Sequence, residues 1–367
     1  MVTNLFVSCE RYEPDVTQSI FDVPLDSVDS ELWYKDLMAV NTRNILGLNS
    51  KLCLIAPNHS SLTYFINEET SEELGYQGNV GEGPEDMQPW PIYVGKSEDN
   101  DTIFLFDFNA RKLKAFYILE TVEGIPKLKM SYSKSLNNPK IGRYSSSFMA
   151  MCKLSSGYFV GINYLSTSDN FLTLLDKDLN YVREFGTHPL SGLPSDGKLK
   201  KLQSFDGSLY SHGNSVYYAA HKFSYMARYD IKEDGNVEHN WSNVYGNISY
   251  DIDNSDKIMF RCESNLNGFS DLTIGKDLIF ATYSGIPTEQ MYNKRSVNAI
   301  GARTLVIFDH KGKVLGRFKL KSCSFSVGLS EDEEYVYVMN IDPEVQLERI
   351  KVSDIMSKIE ERIQLKQ

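Results

Sequence analysis

Four asparagines, Asn58, Asn109, Asn163 and Asn340, each begin or sit within a polar loop that follows a short apolar run. Amide oxygens that converge with carboxylates are what a hard divalent cation takes as ligands, so this set keeps a calcium-assisted hydrolase of the lactonase type in view. Acids are scarce beside them. Asp271 is the only carboxylate inside one of the candidate inner strands defined below. Asparagine in such loops serves equally to satisfy turn backbone groups, and that reading is the one favoured. The six histidines, His59, His188, His212, His221, His239 and His310, show neither HxH nor HExxH spacing. His59 and His221 occupy equivalent places just after apolar runs, whereas His310 falls in a tight turn and is expected to be solvated. There is no GxSxG elbow, so the sequence pairs no serine with a His and an Asp. No residue is assigned a catalytic, cofactor-binding or metal-binding role.

A second set has the chemistry of recognition. Arg143, Arg261 and Arg303, with Tyr164, Tyr283 and Tyr292, would form an amphipathic rim. Tyrosine faces stack on sugars or apolar side chains, and guanidinium groups take anionic ones. Adding His59, Asn109, Arg111 and His221 completes the candidate binding residues.

These residues need a scaffold, and the sequence repeats one. Leu305–Leu320 reads as two strands joined by a tight turn at Asp309-His310-Lys311-Gly312. An isolated hairpin is marginal, so it requires neighbours. Apolar runs starting at Leu52, Thr102, Tyr158, Val216, Leu278 and Tyr335 recur at intervals of 50 to 62 residues. Each follows a polar turn and precedes a variable loop and a second apolar run. Further strand-like pieces stand before the polar turns, at Asn44–Leu48, Pro91–Val94, Ser147–Met151, Ser208–Tyr210, Phe269–Ile274 and Ser324–Leu329. Six units of this size predict an all-β, six-bladed propeller of four-stranded antiparallel blades, with strands A to D from the centre outward.

In that fold the B–C loops and the D-to-A links share one face. Its candidate members lie on those loops, and Tyr283–Arg303, about twenty residues long, is expected to cover part of the channel mouth there. Deleting most of this loop is expected to leave folding intact and to change binding. The link Gly78–Pro91 reads as a rigid corner, with Gly81 or Gly83 at positive φ and Trp90 packed beneath.

The sixth unit has no room for its outer strand. Gln18–Leu25 is the favoured closing edge strand, with Glu31–Val40 the other choice. Ile355, Ile359 and Ile363 recur every fourth residue, so 353–367 reads as a short amphipathic helix. The expected divisions are a tail at 1–17, the propeller at 18–352 and the helix at 353–367.

Bulk composition narrows the partners. The 367 residues carry a formal net charge of −11, which argues against nucleic acid or an anionic membrane surface. No apolar run approaches the roughly 20 residues needed to span a bilayer. The five cysteines, Cys9, Cys53, Cys152, Cys262 and Cys323, form no CxxC pair. Cys53 and Cys152 read as small core residues. Cys9, in LFVSCERYEPD, has the setting of a lipid-anchored cysteine, although Met1–Ser8 is short for an apolar signal core.

Two segments carry a family resemblance: Gly81-Glu82-Gly83-Pro84-Glu85 and Phe104–Ile118 (FLFDFNARKLKAFYI). With Cys9 they resemble the TolB-like six-bladed propellers abundant in Bacteroidetes. The second is also similar to the strand–turn–strand of NHL-type repeats, with Asp107, Asn109 and Arg111 in matching places. The resemblance implies a cell-envelope or secreted location and no particular activity. The expectation is a monomeric extracytoplasmic binding or scaffold module for a glycan, peptide or protein, without a cofactor. The alternative is the metal-dependent hydrolase, with calcium in the channel.

Overall fold

The computed structural model describes residues 19–35, 37–39, 42–58, 60–136, 148–163, 170–187, 206–246, 248, 251–252, 258–259, 265–288, 290, 301–341 and 344–365. The chain begins its sheets with β1 (Glu31–Tyr34), which waits for a partner from the far end of the sequence. Four discrete four-stranded antiparallel meanders follow. The first is β2 (Asn44–Leu48), β3 (Lys51–Ile55), β4 (Ser61–Asn67) and β5 (Glu73–Asn79). The second is β6 (Ile92–Lys96), β7 (Thr102–Asp107), β8 (Lys112–Glu120) and β9 (Pro126–Ser135). The third is β10 (Phe148–Lys153), β11 (Phe159–Asn163), β12 (Asn170–Leu175) and β13 (Tyr181–Thr187). The fourth is β14 (Gly207–His212), β15 (Ser215–Ala220), β16 (Tyr225–Ile231) and β17 (Val237–Val244). A short pair, β18 (Asp251–Ile252) and β19 (Ile258–Met259), leads to the rest.

The remaining strands form one seven-stranded sheet rather than two separate blades. They are β20 (Phe269–Ile274), β21 (Ile279–Tyr283), β22 (Ala302–Phe308), β23 (Val314–Leu329), β24 (Tyr335–Asn340) and β25 (Gln346–Lys351), with β1 at the edge. Among the described residues the discrete four-stranded blades therefore number four, not the six expected. The reason is β23: its sixteen residues run on without a break, pairing with β22 over Val314–Lys319 and again at Ser324, and with β24 at Ser324 and over Ser326–Leu329.

The strands form where alternation and β-branched or aromatic content predict them, and both faces of most are covered. Buried apolar side chains collect in seams between neighbouring sheets. One seam joins Phe65 and Leu105, another Phe171 and Tyr218, another Tyr217 and Phe308. β2 and the end of β23 approach closely. A Cβ on Gly328 would lie 2.3 Å from the Ile45 carbonyl oxygen, and one on Gly47 2.3 Å from the Glu331 nitrogen, so these two backbones meet only because both positions are glycine.

The chain ends differ from expectation in detail. In place of an edge strand at Gln18–Leu25, Ser19 caps a 3₁₀ turn, Ile20–Asp22, and the Phe21 amide donates to Ser19 Oγ at 3.2 Å. Ile20 and Val23, three apart, are buried together in the seam beside Tyr217 and Phe308, a spacing that suits a turn and not a strand. The strand that lies on β25 is β1, antiparallel, with Glu31 opposite Arg349. Trp33 is buried there and meets Tyr337 edge-to-face at 4.9 Å. Helix α1 (Val352–Gln364) closes the chain; Ile355 and Ile359 are buried and Ile363 is exposed. Among the described residues no helix is long and apolar enough to cross a membrane.

The corner at Gly78–Pro91 also departs from the reading. Gly78, not Gly81 or Gly83, takes positive φ (74°). Gly81 and Gly83 instead lie against Asp86: a Cβ on either would come within 2.6 Å of its Oδ2, which accepts from the Gly83 amide. Trp90, expected beneath the corner, is instead 59% exposed.

Candidate functional site

Six inner segments, in β2, β6, β10, β14, β20 and the second half of β23, surround a cavity of about 310 Å³. It reaches the face bearing the turns that join first and second strands, opposite the face of the long loops. Charged groups there tie neighbouring sheets together. Lys96 donates to the Gly47 carbonyl at 3.0 Å. Burial pulls its ammonium below the usual lysine range, against the carboxylates of Glu331, Glu333 and Glu68. Glu331 accepts from the Ser50 amide (3.1 Å) and Asn100 Nδ2 (2.8 Å), and Glu333 from the Lys276 amide (2.9 Å). His310, expected to be solvated, is held in this region: Tyr217 donates its hydroxyl to Nδ1 at 2.6 Å, and Nε2 faces the Gly275 and Lys276 carbonyls.

Asp271 lies deeper, on β20. Its Oδ1 accepts from the Tyr210 hydroxyl of β14 and from its neighbour Leu272's amide (2.9 Å), and its Oδ2 from the Val327 amide of β23 (2.9 Å). Three adjacent inner strands therefore converge on one carboxyl. Burial pushes it up to about 7, with the Tyr210 and backbone donors opposing. Its oxygens are taken by scaffold donors. Asn58 is likewise engaged, closing a turn by accepting from the Ser60 (2.8 Å) and Ser61 (2.7 Å) amides. Among the described residues no group of three or more His, Cys, Asp or Glu is placed to hold a metal ion.

Of the ten binding candidates, His59, Arg143, Tyr164, Arg261 and Tyr292 lie outside the described residues, as do Cys9, the side chain of Asn163 and residues 291–300 of the long loop. None of the described five lines the central cavity. Asn109 and Arg111 are exposed on a turn organised by Asp107, whose carboxylate accepts from the Ala110 amide (2.8 Å) and, across to the next link, from the Gln88 amide (3.0 Å). Arg303 is exposed at the start of β22. Tyr283 is not a rim residue. It is buried, its ring 5.4 Å from Phe269 and its hydroxyl 2.8 Å from Ser224 Oγ, because the strand's alternation turns it into the seam.

His221 is the candidate with the most developed surroundings. Its Nδ1 is 3.1 Å from Asp206 Oδ1 and its Nε2 is 2.8 Å from Ser208 Oγ. The strand register explains the convergence. Gly207 pairs with Ala220, so His221 stands opposite Asp206, and its amide donates to the Asp206 carbonyl at 2.9 Å. Asp206 and Ser208 flank Gly207 and therefore present their side chains to the same side. Gly207 itself admits no Cβ, which would lie 2.5 Å from the Ala219 carbonyl oxygen. Burial favours protonation of Asp206, but hydrogen bonding and charge from His221, then Lys222, outweigh it and hold the carboxyl at about 2. Sequence reasoning flagged His221 and missed Asp206 and Ser208, because their only signal is a register that tertiary pairing sets.

On the same long-loop face, Trp90 stands exposed with φ of 78°, a region a bulky side chain rarely occupies. The Arg43 guanidinium lies over its ring at 4.4 Å. Met38, in the link from β1 to β2, is 70% exposed.

Comparison with solved structures follows from this geometry. The chain is similar to a Bacteroides fragilis protein designated as exported, with a TM-score of 0.56 at 10% identity over 88% of this chain and 87% of that one. It also aligns with the RRP9 WD40 repeats (TM-score 0.48, 8% identity, 89% and 99% covered) and with the β-propeller domain of Myceliophteria thermophila Cps50 (Swd1) (TM-score 0.45, 9% identity, 85% and 83% covered). At this identity the first likeness bears on fold alone. Neither a protein-family model nor a curated protein matches the sequence, so the TolB- or NHL-type assignment gains no family support, while the propeller-like arrangement of all-β sheets stands.

Proposed function

We propose that this chain is a six-bladed propeller that works as an extracytoplasmic, monomeric binding module, engaging a glycan, peptide or protein on its long-loop face. The count of six is supported by the division of β23 between two sets of partners and by the six inner segments around one cavity. The observation that carries the function is Trp90: an exposed indole held at positive φ with a guanidinium stacked on it. Backbone strain of this kind persists where surroundings enforce it and clusters at ligand-binding positions. Trp and Arg are also the residues that dominate binding energy at protein surfaces. Arg111, Arg303 and the exposed Met38 share the face, which fits a partner with both apolar and anionic groups.

A combined glycan and peptide array probed with the purified chain tests this reading. Signals that fall at least about tenfold in Trp90→Ala and Arg43→Ala, a loss of roughly 1.4 kcal/mol, are the expected result. Binding that both variants retain in full, or an array that stays blank, would overturn it.

A further inference from the structure

We propose that Ser208, His221 and Asp206 form a nucleophilic site that cleaves carboxylic esters, an activity beyond the binding role. The distances are those of an activated hydroxyl: Ser208 Oγ to His221 Nε2 is 2.8 Å and His221 Nδ1 to Asp206 Oδ1 is 3.1 Å. With Asp206 ionised, its carboxylate accepts the Nδ1 proton, which leaves Nε2 as the lone-pair nitrogen facing the serine hydroxyl. The His221 and Asp206 side chains are each 33% exposed and Ser208 is half-buried, so the group is not a sealed core network. The imidazole is fixed by backbone as well as by side chains, since the His221 amide and carbonyl pair with Asp206 and Gly268. Lys222 Nζ, 3.4 Å from Asp206 Oδ2, puts a cation beside the site.

The chemistry closes on these groups and water. Ser208 Oγ attacks the ester carbonyl carbon while its proton moves to His221 Nε2. Collapse of the tetrahedral species breaks the bond to the alcohol oxygen, which takes that proton and leaves. Water then attacks the acyl-Ser208, passing a proton to His221. The second collapse releases the carboxylic acid, and His221 returns the proton to Ser208 Oγ. Ser208 and His221 are the catalytic residues; Asp206 is a positioning residue.

The test uses the full chain with a fluorophosphonate probe and, separately, p-nitrophenyl acetate. The expected result is an adduct mapped to Ser208, absent from heat-denatured protein and from Ser208→Ala. Ester turnover should fall about 100-fold or more in Ser208→Ala and His221→Ala, with added imidazole restoring part of the latter. Asp206→Asn should lower kcat about 100-fold or more with KM little changed, because the imidazole loses the acceptor that holds its tautomer. Ser211→Ala, which removes a hydroxyl bonded to the Lys153 carbonyl at 2.7 Å, should react like the wild type. Labelling elsewhere, labelling no greater than in denatured protein, or wild-type turnover in Ser208→Ala would overturn the proposal. Array binding kept by Ser208→Ala separates this activity from the Trp90 surface.

Discussion

Asp271, buried where β14, β20 and β23 meet, accepts from three donors and needs both oxygens to do so. An amide cannot replace it: whichever way Asn is turned, its NH₂ faces the backbone N–H of Leu272 or of Val327. Asp271→Asn should therefore cost about 1–3 kcal/mol, read from the urea midpoint. The pH dependence has a definite sign. Burial raises the carboxyl from 3.8 to about 7, so within that window the folded chain keeps a proton that the unfolded chain has released. Stability from this group falls as pH rises from 3.8 to about 7. Denaturation midpoints across that window should flatten in Asp271→Asn. Asp206 acts in the opposite sense. Held at about 2, it favours the fold above the ordinary carboxylate range, and that contribution is lost as pH falls toward 2. Its partial exposure keeps the effect small. Neither role was legible in the sequence beyond Asp271's place in an inner strand.

At the scale of elements, β1 decides how the chain closes. It supplies the outer edge on β25, and its Trp33 is the residue that anchors it, buried against Tyr337. Trp33→Ala should destabilise the protein by about 3–5 kcal/mol in chemical denaturation. Glu31→Gln, at an exposed ion pair with Arg349 (2.8 Å), should leave the midpoint nearly unchanged. The second and third strands of each repeat were legible because alternation and turn residues are local signals, whereas the inner strand at Ser208–Tyr210 carried only a weak one. The closing strand was not legible with equal force. Gln18–Leu25 and Glu31–Val40 both contain apolar residues beside polar ones, and only the fit of Trp33 against Tyr337 selects between them. Ile20 and Val23 read as strand residues in isolation, yet their three-residue spacing fits the 3₁₀ turn that Ser19 caps.

For the whole molecule, the ring is held by seams between sheets and by turn-to-turn bonds on one face, and protein donors occupy the oxygens of Asp271 and Asn58. EDTA should accordingly leave the melting temperature unchanged, and Ca²⁺ should not raise it. A site loaded at about 100 times its dissociation constant would add roughly 2.7 kcal/mol, a shift that thermal melts resolve, and its appearance would revive the metal-dependent hydrolase. Hydrophobic period and turn composition act over a few residues, so the repeat, the all-β class and the amphipathic terminal helix were legible along the chain, as was the net negative charge. Long-range pairing set the remaining features. It ran one seven-stranded sheet through the unbroken β23, chose the edge strand, turned Tyr283 inward, and set Gly207 opposite Ala220 so that Asp206 and Ser208 meet His221. Those outcomes depend on strand register and on which surfaces face one another, and the physical forces that fix them act between residues far apart along the chain.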